Sequence, residues 1–229
     1  MFFSSGYFLW VMLPSLAITL FAQWRVKSAM SRWSRVQNAR GITGAKTAEL
    51  VMRHAGLTHV AVARVPGQLT DYYDPRDRSI HLSDSSTGAP TVAAMAIVAH
   101  ELGHAQQDMT GSGLLHLRAR LVPAANIGTQ LGLWLVLIGY FVGLTQIAWL
   151  GVALFAGFVA FTLVTLPVEF DASRRAKGFL KELGIVSPEE QKGVNAVLDA
   201  AALTYVAAAA TAVLQLLYYV SLLTGRRRN

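Results

Sequence analysis

Apolar positions in this chain gather into long blocks with no charge in them, separated by stretches of mixed pattern. The first block, Tyr7 to Trp24, holds 18 residues without a charged side chain, just enough to cross a bilayer as a helix. No basic residue precedes it, and Arg25, Lys27, Arg32 and Arg35 follow it closely. That order is the reverse of a secretory signal, so the block reads as a retained first span, with a kink expected at Pro14. The second block, Leu121 to Val168, runs for 48 residues, too long for one span and long enough for two. We place these spans at 123–143 and 147–166, with a turn at Gly143–Gln146 and Pro167 closing the second. A last block, Ala200 to Leu223, is alanine-rich and only weakly apolar in its first half. It either spans or packs against the polar part of the chain before entering the bilayer.

Between the first two blocks the pattern is that of a globular protein. Thr43 reads as an N-cap, with a helix over 44–55 and a stop at Gly56. A short strand is expected near 59–65, and Asp74-Pro75-Arg76-Asp77 is a turn that makes a hairpin of 69–73 and 79–83. Pro90 fits the first turn of a helix running to Asp108, ended by Gly111-Ser112-Gly113. The expected fold is mainly α with a small β-sheet, carried by an integral membrane protein of about four transmembrane helices. The chain divides into a first span (1–24), a polar part (25–120), a transmembrane hairpin (121–166), a second polar segment (167–199) and a C-terminal transmembrane or membrane-packed helix with a basic tail (200–229).

Composition supports this division. Hydrophobic residues make up 53% and charged residues 14%, against about 25% charged in an average soluble chain. Disorder is excluded, and a wholly soluble protein is disfavoured. The net charge of +7 raises nucleic-acid binding, but the basic residues flank apolar blocks. Such placement suits a lipid bilayer as partner and orients the spans, so no nucleic-acid partner is expected. Residues 25–120 carry twelve Lys and Arg and 167–199 carry five, whereas the 143–146 turn carries none. Both polar segments are therefore expected on the cytoplasmic side of the cell (inner) membrane of a multi-pass protein. Only Arg226, Arg227 and Arg228 conflict with that orientation if the last block spans. The chain has no cysteine, so any metal must be held by His, Asp or Glu.

The chemistry lies in His100-Glu101-Leu102-Gly103-His104. On a helix, residues four apart share a face, so both imidazoles can turn to one metal ion, and neutral imidazole suits zinc. Glu101 is rotated by about 100° from His100 and lies beside that ion, placed to act as general base. With six His and six Glu in the chain, the pattern arises by chance in roughly one of 250 such sequences. A catalytic zinc usually takes three protein ligands. A close third histidine is excluded, because Gln107 and Thr110 stand at the two positions that pattern requires. His54, His59 and His81 read as surface residues, and His116 lies beyond a Gly-Ser-Gly break. A downstream carboxylate remains, and Glu169, two residues past Pro167, stands where the third span emerges. The other reading of Glu169 is an acidic residue that favours a helix dipole.

The chain resembles the gluzincin metallopeptidases on HELGH and the later LPVEFDASRRA. Among them it resembles the integral-membrane HtpX and CAAX-prenyl protease group, whose second motif has the form E-x-x-A-D. It is more closely similar to the bacterial YugP-like membrane zinc peptidases, on the initial span, TDYYDPRDRSIHLS, VAHELGHAQQ, LPVEFDASRRA and AALTYVAAA. The resemblance implies one zinc per chain held by His100, His104 and Glu169, with Glu101 as catalytic base. It also implies a membrane-embedded endopeptidase acting on a protein or peptide substrate, and an edge strand at 79–83 that holds extended substrate. Ser173 stands where the HtpX-like pattern has Asp, which leaves Ser173 or Asp171 to orient a ligand histidine. Tyr205, His116, Arg174 and Arg175 are candidates to stabilise an oxyanion. The rival class is a zinc-stabilised membrane scaffold or quality-control adaptor without catalysis. Structural zinc sites are normally closed by four ligands, and the intact Glu101 favours the enzyme.

Overall fold

The structure is a computed structural model and describes residues 5–226. Arg227 and Arg228, two of the three arginines in conflict with the expected orientation, lie outside the described residues. The described residues are mainly helical with one three-stranded sheet. In order the elements are α1 (Ser5–Trp33), α2 (Gly44–His54), β1 (Ala61–Val65), β2 (Tyr72–Asp74), β3 (Ser79–Ser83), a short α3 (Asp84–Thr87), α4 (Val92–Met109), α5 (Gly113–Val142), α6 (Thr145–Glu182) and α7 (Pro188–Arg226). Four of these, α1, α5, α6 and α7, are long and apolar enough to cross a membrane. They present large apolar side chains outward, with Trp10 76% and Phe141 68% exposed.

Two compact units are formed. The first takes α1 up to Ala22, the chain from Leu114 to Pro167, and α7 from Thr204. In α1 a wider π turn covers Phe8–Met12, where the Leu13 N–H reaches Phe8 O. Pro14 has no N–H to give to Trp10 O and its ring crowds that carbonyl, so the helix widens where the kink was expected. The α5–α6 hairpin turns at Gly143, which adopts φ +84°. Gly128, Gly132 and Gly139 on α5 let the backbone of α6 approach at Leu154, Gly151 and Ala148, the small-residue packing of apolar helices. Val136, Ala148, Val152, Phe155 and Tyr219 form this unit's core.

The second unit takes residues 23–113 and 168–203. Thr43 caps α2 by accepting from Lys46 N. The expected hairpin is present with a shorter first strand, 72–74 in place of 69–73: β2 and β3 pair antiparallel, and Asp74 Oδ1 accepts from Arg76 N (2.9 Å) in the turn. One expectation is corrected. The strand at 79–83 is not an edge, because β1 pairs parallel along its other side and the order is β1-β3-β2. Both sides of β3 are thus occupied by ladder bonds, and the outer edges belong to β1 and β2.

Helix α4 runs through the middle of this unit. It starts at Val92, two residues later than the proline suggests. Pro90 O accepts from Asn38 N, Thr91 pairs with Gln37 as a bridge, and the Thr91 side chain accepts from Ala94 N as the cap. Its first two turns are buried except at half-buried Ile97. Val98, Leu102 and Ala105 meet Ile80, Leu82 and Val51, while Val92, Met95 and Ala99 meet Leu180, Val194 and Leu198. Helix α4 meets α6 closely at Gly103, where a Cβ would stand 2.5 Å from Ala172 O. No side chain fits there without displacing backbone. Gly103→Ala is therefore expected to lower stability by about 1–3 kcal/mol. Gly113→Ala, where a Cβ meets nothing within 4 Å, should be close to neutral. Thermal unfolding of both variants in detergent checks this.

Candidate metal centre

The Gly103 contact brings the HELGH turn of α4 against the first polar turn of α6. His100 and His104 sit one above the other, ring centroids 4.8 Å apart and planes at 85°. Across from them stands Glu169, 2% exposed. Its Oε2 is 3.2 Å from His100 Nε2 and 3.6 Å from His104 Nε2. One ligand atom from each of the three residues lies within 4.8 Å of the others. Ligand atoms at 2.0–2.2 Å from a tetrahedral zinc are themselves about 3.3 Å apart. Two imidazoles and a carboxylate at these separations fit that ion in both spacing and donor chemistry.

Electrostatics follow from burial and proximity. Burial alone would raise the Glu169 carboxyl, but the hydrogen bonds and charge of His100 and His104 outweigh it and hold it well below the carboxylate range. Burial would lower His104, and the bond to Glu169 with the charge of Glu101 lifts it above the usual value. Glu101 is pushed up by burial, against the pull of the two imidazoles.

Each ring's other nitrogen is also engaged. His100 Nδ1 is 3.3 Å from the buried Ser173 Oγ. His104 Nδ1 is 3.0 Å from Gln107 Oε1, whose amide nitrogen donates to Val168 O (2.8 Å) and Asp171 Oδ2 (2.9 Å). Arg175 Nε donates to Asp171 Oδ2 (2.7 Å) while its Nη1 holds Gln106 Oε1 (2.7 Å), and Arg174 also pairs with Asp171. Asp171 and Ser173 thus both lie next to the centre, Asp171 at one remove. Arg174 and Arg175 are committed to Asp171, and His116 and Tyr205 belong to the other unit. His54 pairs with Glu182 (2.9 Å), exposed His59 precedes β1, and His81 stacks on Tyr72. Sequence reasoning passed over Gln107 and Gly103. The available signal was a polar side chain at i+3 from His104, on the face that carries the motif.

Residues 8–224 match the family described as "Putative neutral zinc metallopeptidase". The chain is 40% identical over 223 residues to "Putative membrane protease YugP" of Bacillus subtilis (strain 168), covering 97% of this chain and 99% of that protein. No solved structure matches.

In metal-free protein the two glutamates have opposite pH signatures. Glu169 is depressed, so its stabilisation is present above about pH 4.5 and is lost as pH falls toward its folded value. Glu101 is raised, so its ionisation costs stability as pH climbs past about 4.5. Unfolding of chelator-treated protein between about pH 6 and pH 3 should show Glu169→Gln losing most at the upper end. Glu101→Gln should gain there. A Glu169→Gln deficit that does not shrink on acidification would contradict this.

Proposed function

This chain belongs to the neutral zinc metallopeptidase family, and from that membership we propose that it hydrolyses peptide bonds at the His100–His104–Glu169 cluster. The observation that carries the reading is the trio of donor atoms within 4.8 Å, two from one turn of α4 and one from α6. His100, His104 and Glu169 would hold one zinc ion, in the manner of a gluzincin. A bound zinc supplies Lewis acidity toward the scissile carbonyl and lowers the pKa of a water to about 7.

The chain's own residues do the rest. Glu101 accepts the proton of the attacking water and passes it to the leaving amine. Its burial raises its proton affinity above that of a free carboxylate, which favours acceptance of the proton. An extended substrate strand would lie along the outer edge of β2, which packs with β3 on α4. The apolar helices would be embedded in the cell membrane, with the polar unit on the cytoplasmic side. The support for that side is the seventeen basic residues of segments 25–120 and 167–199.

Two substitutions separate an enzyme from a metal-stiffened scaffold. Glu101→Gln should keep about one zinc per chain while casein cleavage falls by about 10²–10⁴. Glu169→Ala should lose zinc and activity together. The measurement is metal content of detergent-purified protein beside cleavage. Undiminished cleavage by Glu101→Gln sinks the mechanism, and wild type free of transition metal sinks the centre. For orientation, a reporter fused after residue 60 should behave as cytoplasmic and one inserted at Thr145 as external. An external reading at residue 60 would reverse the topology.

A further inference from the structure

We infer that Gln107 is a positioning residue that fixes the tautomer and ring plane of His104, and that Asp171 acts on His104 only through it. This rests on the metal reading of His100, His104 and Glu169 above.

Gln107 is fully buried, one helical turn beyond His104. Its amide offers two N–H donors on one side and a carbonyl acceptor on the other. The nitrogen lies 2.8 Å from Val168 O and 2.9 Å from Asp171 Oδ2. A backbone carbonyl can only accept. Asp171 is held as a carboxylate by Arg174 and Arg175, so it also only accepts. Flipping the amide would set its oxygen against both acceptors in a buried site. The orientation is therefore forced, and the carbonyl oxygen is left facing His104 Nδ1 at 3.0 Å. That oxygen cannot donate, so Nδ1 carries the hydrogen. A neutral imidazole then has its lone pair on Nε2, the nitrogen that faces Glu169.

His100 differs. Its Nδ1 meets the Ser173 hydroxyl, which donates or accepts equally well. Ser173 places that ring without choosing its tautomer. A metal-ligating histidine commonly gives its second N–H directly to a carboxylate. Here one amide is interposed, and α6 supplies both groups that orient it, Val168 O and Asp171.

The test uses full-length protein in detergent, zinc affinity by competition with a chromophoric chelator, and the visible spectrum after cobalt(II) replaces zinc. Gln107→Leu should weaken zinc on the order of 10–100-fold and move the cobalt bands. Gln107→Glu, nearly isosteric, should also weaken zinc, because an acceptor now faces Val168 O and Asp171. Adding Asp171→Asn returns a donor and should recover most of the loss, which a merely space-filling role would not do. Asp171→Ala should weaken zinc in the wild-type background and add nothing to Gln107→Leu. Wild-type zinc affinity in Gln107→Leu, no recovery in the Glu/Asn pair, or equal Asp171→Ala factors in both backgrounds would overturn the inference. In those cases the metal reading survives. A wild type that takes up neither zinc nor cobalt ends both.

Discussion

A carboxylate as deeply buried as Glu169 survives in the ionised form only if its surroundings replace water. The His100 and His104 rings do that, and the fold is arranged to deliver them. Taking an ion out of water costs several kcal/mol, and an ion pair seldom recovers more than that. Such a cluster is a poor device for gaining stability. The proposed use is to seat a divalent cation, whose charge exceeds what the two imidazoles offer the carboxylate. The surrounding contacts make sense in that light. Gly103 removes the side chain that would hold α6 away, the Gln107 amide reaches across to Val168 O, and Arg175 grips Asp171 on its own helix and Gln106 on α4.

Helix α4 serves two ends with its two halves. Its first turns are apolar and, apart from half-buried Ile97, buried between the sheet and α2 on one flank and α6 and α7 on the other. Packing on both flanks fixes the position of that half. The second half inherits the fixed position, so the imidazoles need no separate means of alignment. The Thr91 cap and its bridge to Gln37 set where the helix begins, and so the height at which the motif turn meets α6. Catalytic constellations generally require such tolerance, well under an ångström, from rigid supporting elements.

Much of this was legible before the structure. The Thr43 cap, the hairpin turn at Asp74–Asp77, the turn at Gly143 and the motif helix all follow from local rules, each involving a few neighbouring residues. Glu169 was reached by elimination among possible third donors, and the structure sets it beside His100 and His104; its role as a ligand belongs to the proposal above. What stayed hidden depends on pairings distant in sequence. That β3 is central is decided by β1, whose parallel pairing across an intervening strand leaves no mark in β3 itself. Gln107 follows the motif in a polar run, AQQD, which reads as a solvated helix end. Only the arrival of α6 makes that face an interior, and only then does the polarity of Gln107 acquire a purpose.

The motif is conventionally written with two free letters between its glutamate and its second histidine. In this fold neither letter is free. Leu102 is wholly buried in the core shared with Ile80 and Leu82, and Gly103 is the point of contact with Ala172 O. One letter anchors the helix to the sheet and the other admits the helix that carries the remaining carboxylate. A side chain at Gly103 would have to displace the backbone at Ala172, and a polar one at Leu102 would enter the core beside Ile80 and Leu82. In this chain the motif is spelled His-Glu-Leu-Gly-His, and its glycine is the point at which the helix bearing Glu169, sixty-six residues away, comes to rest.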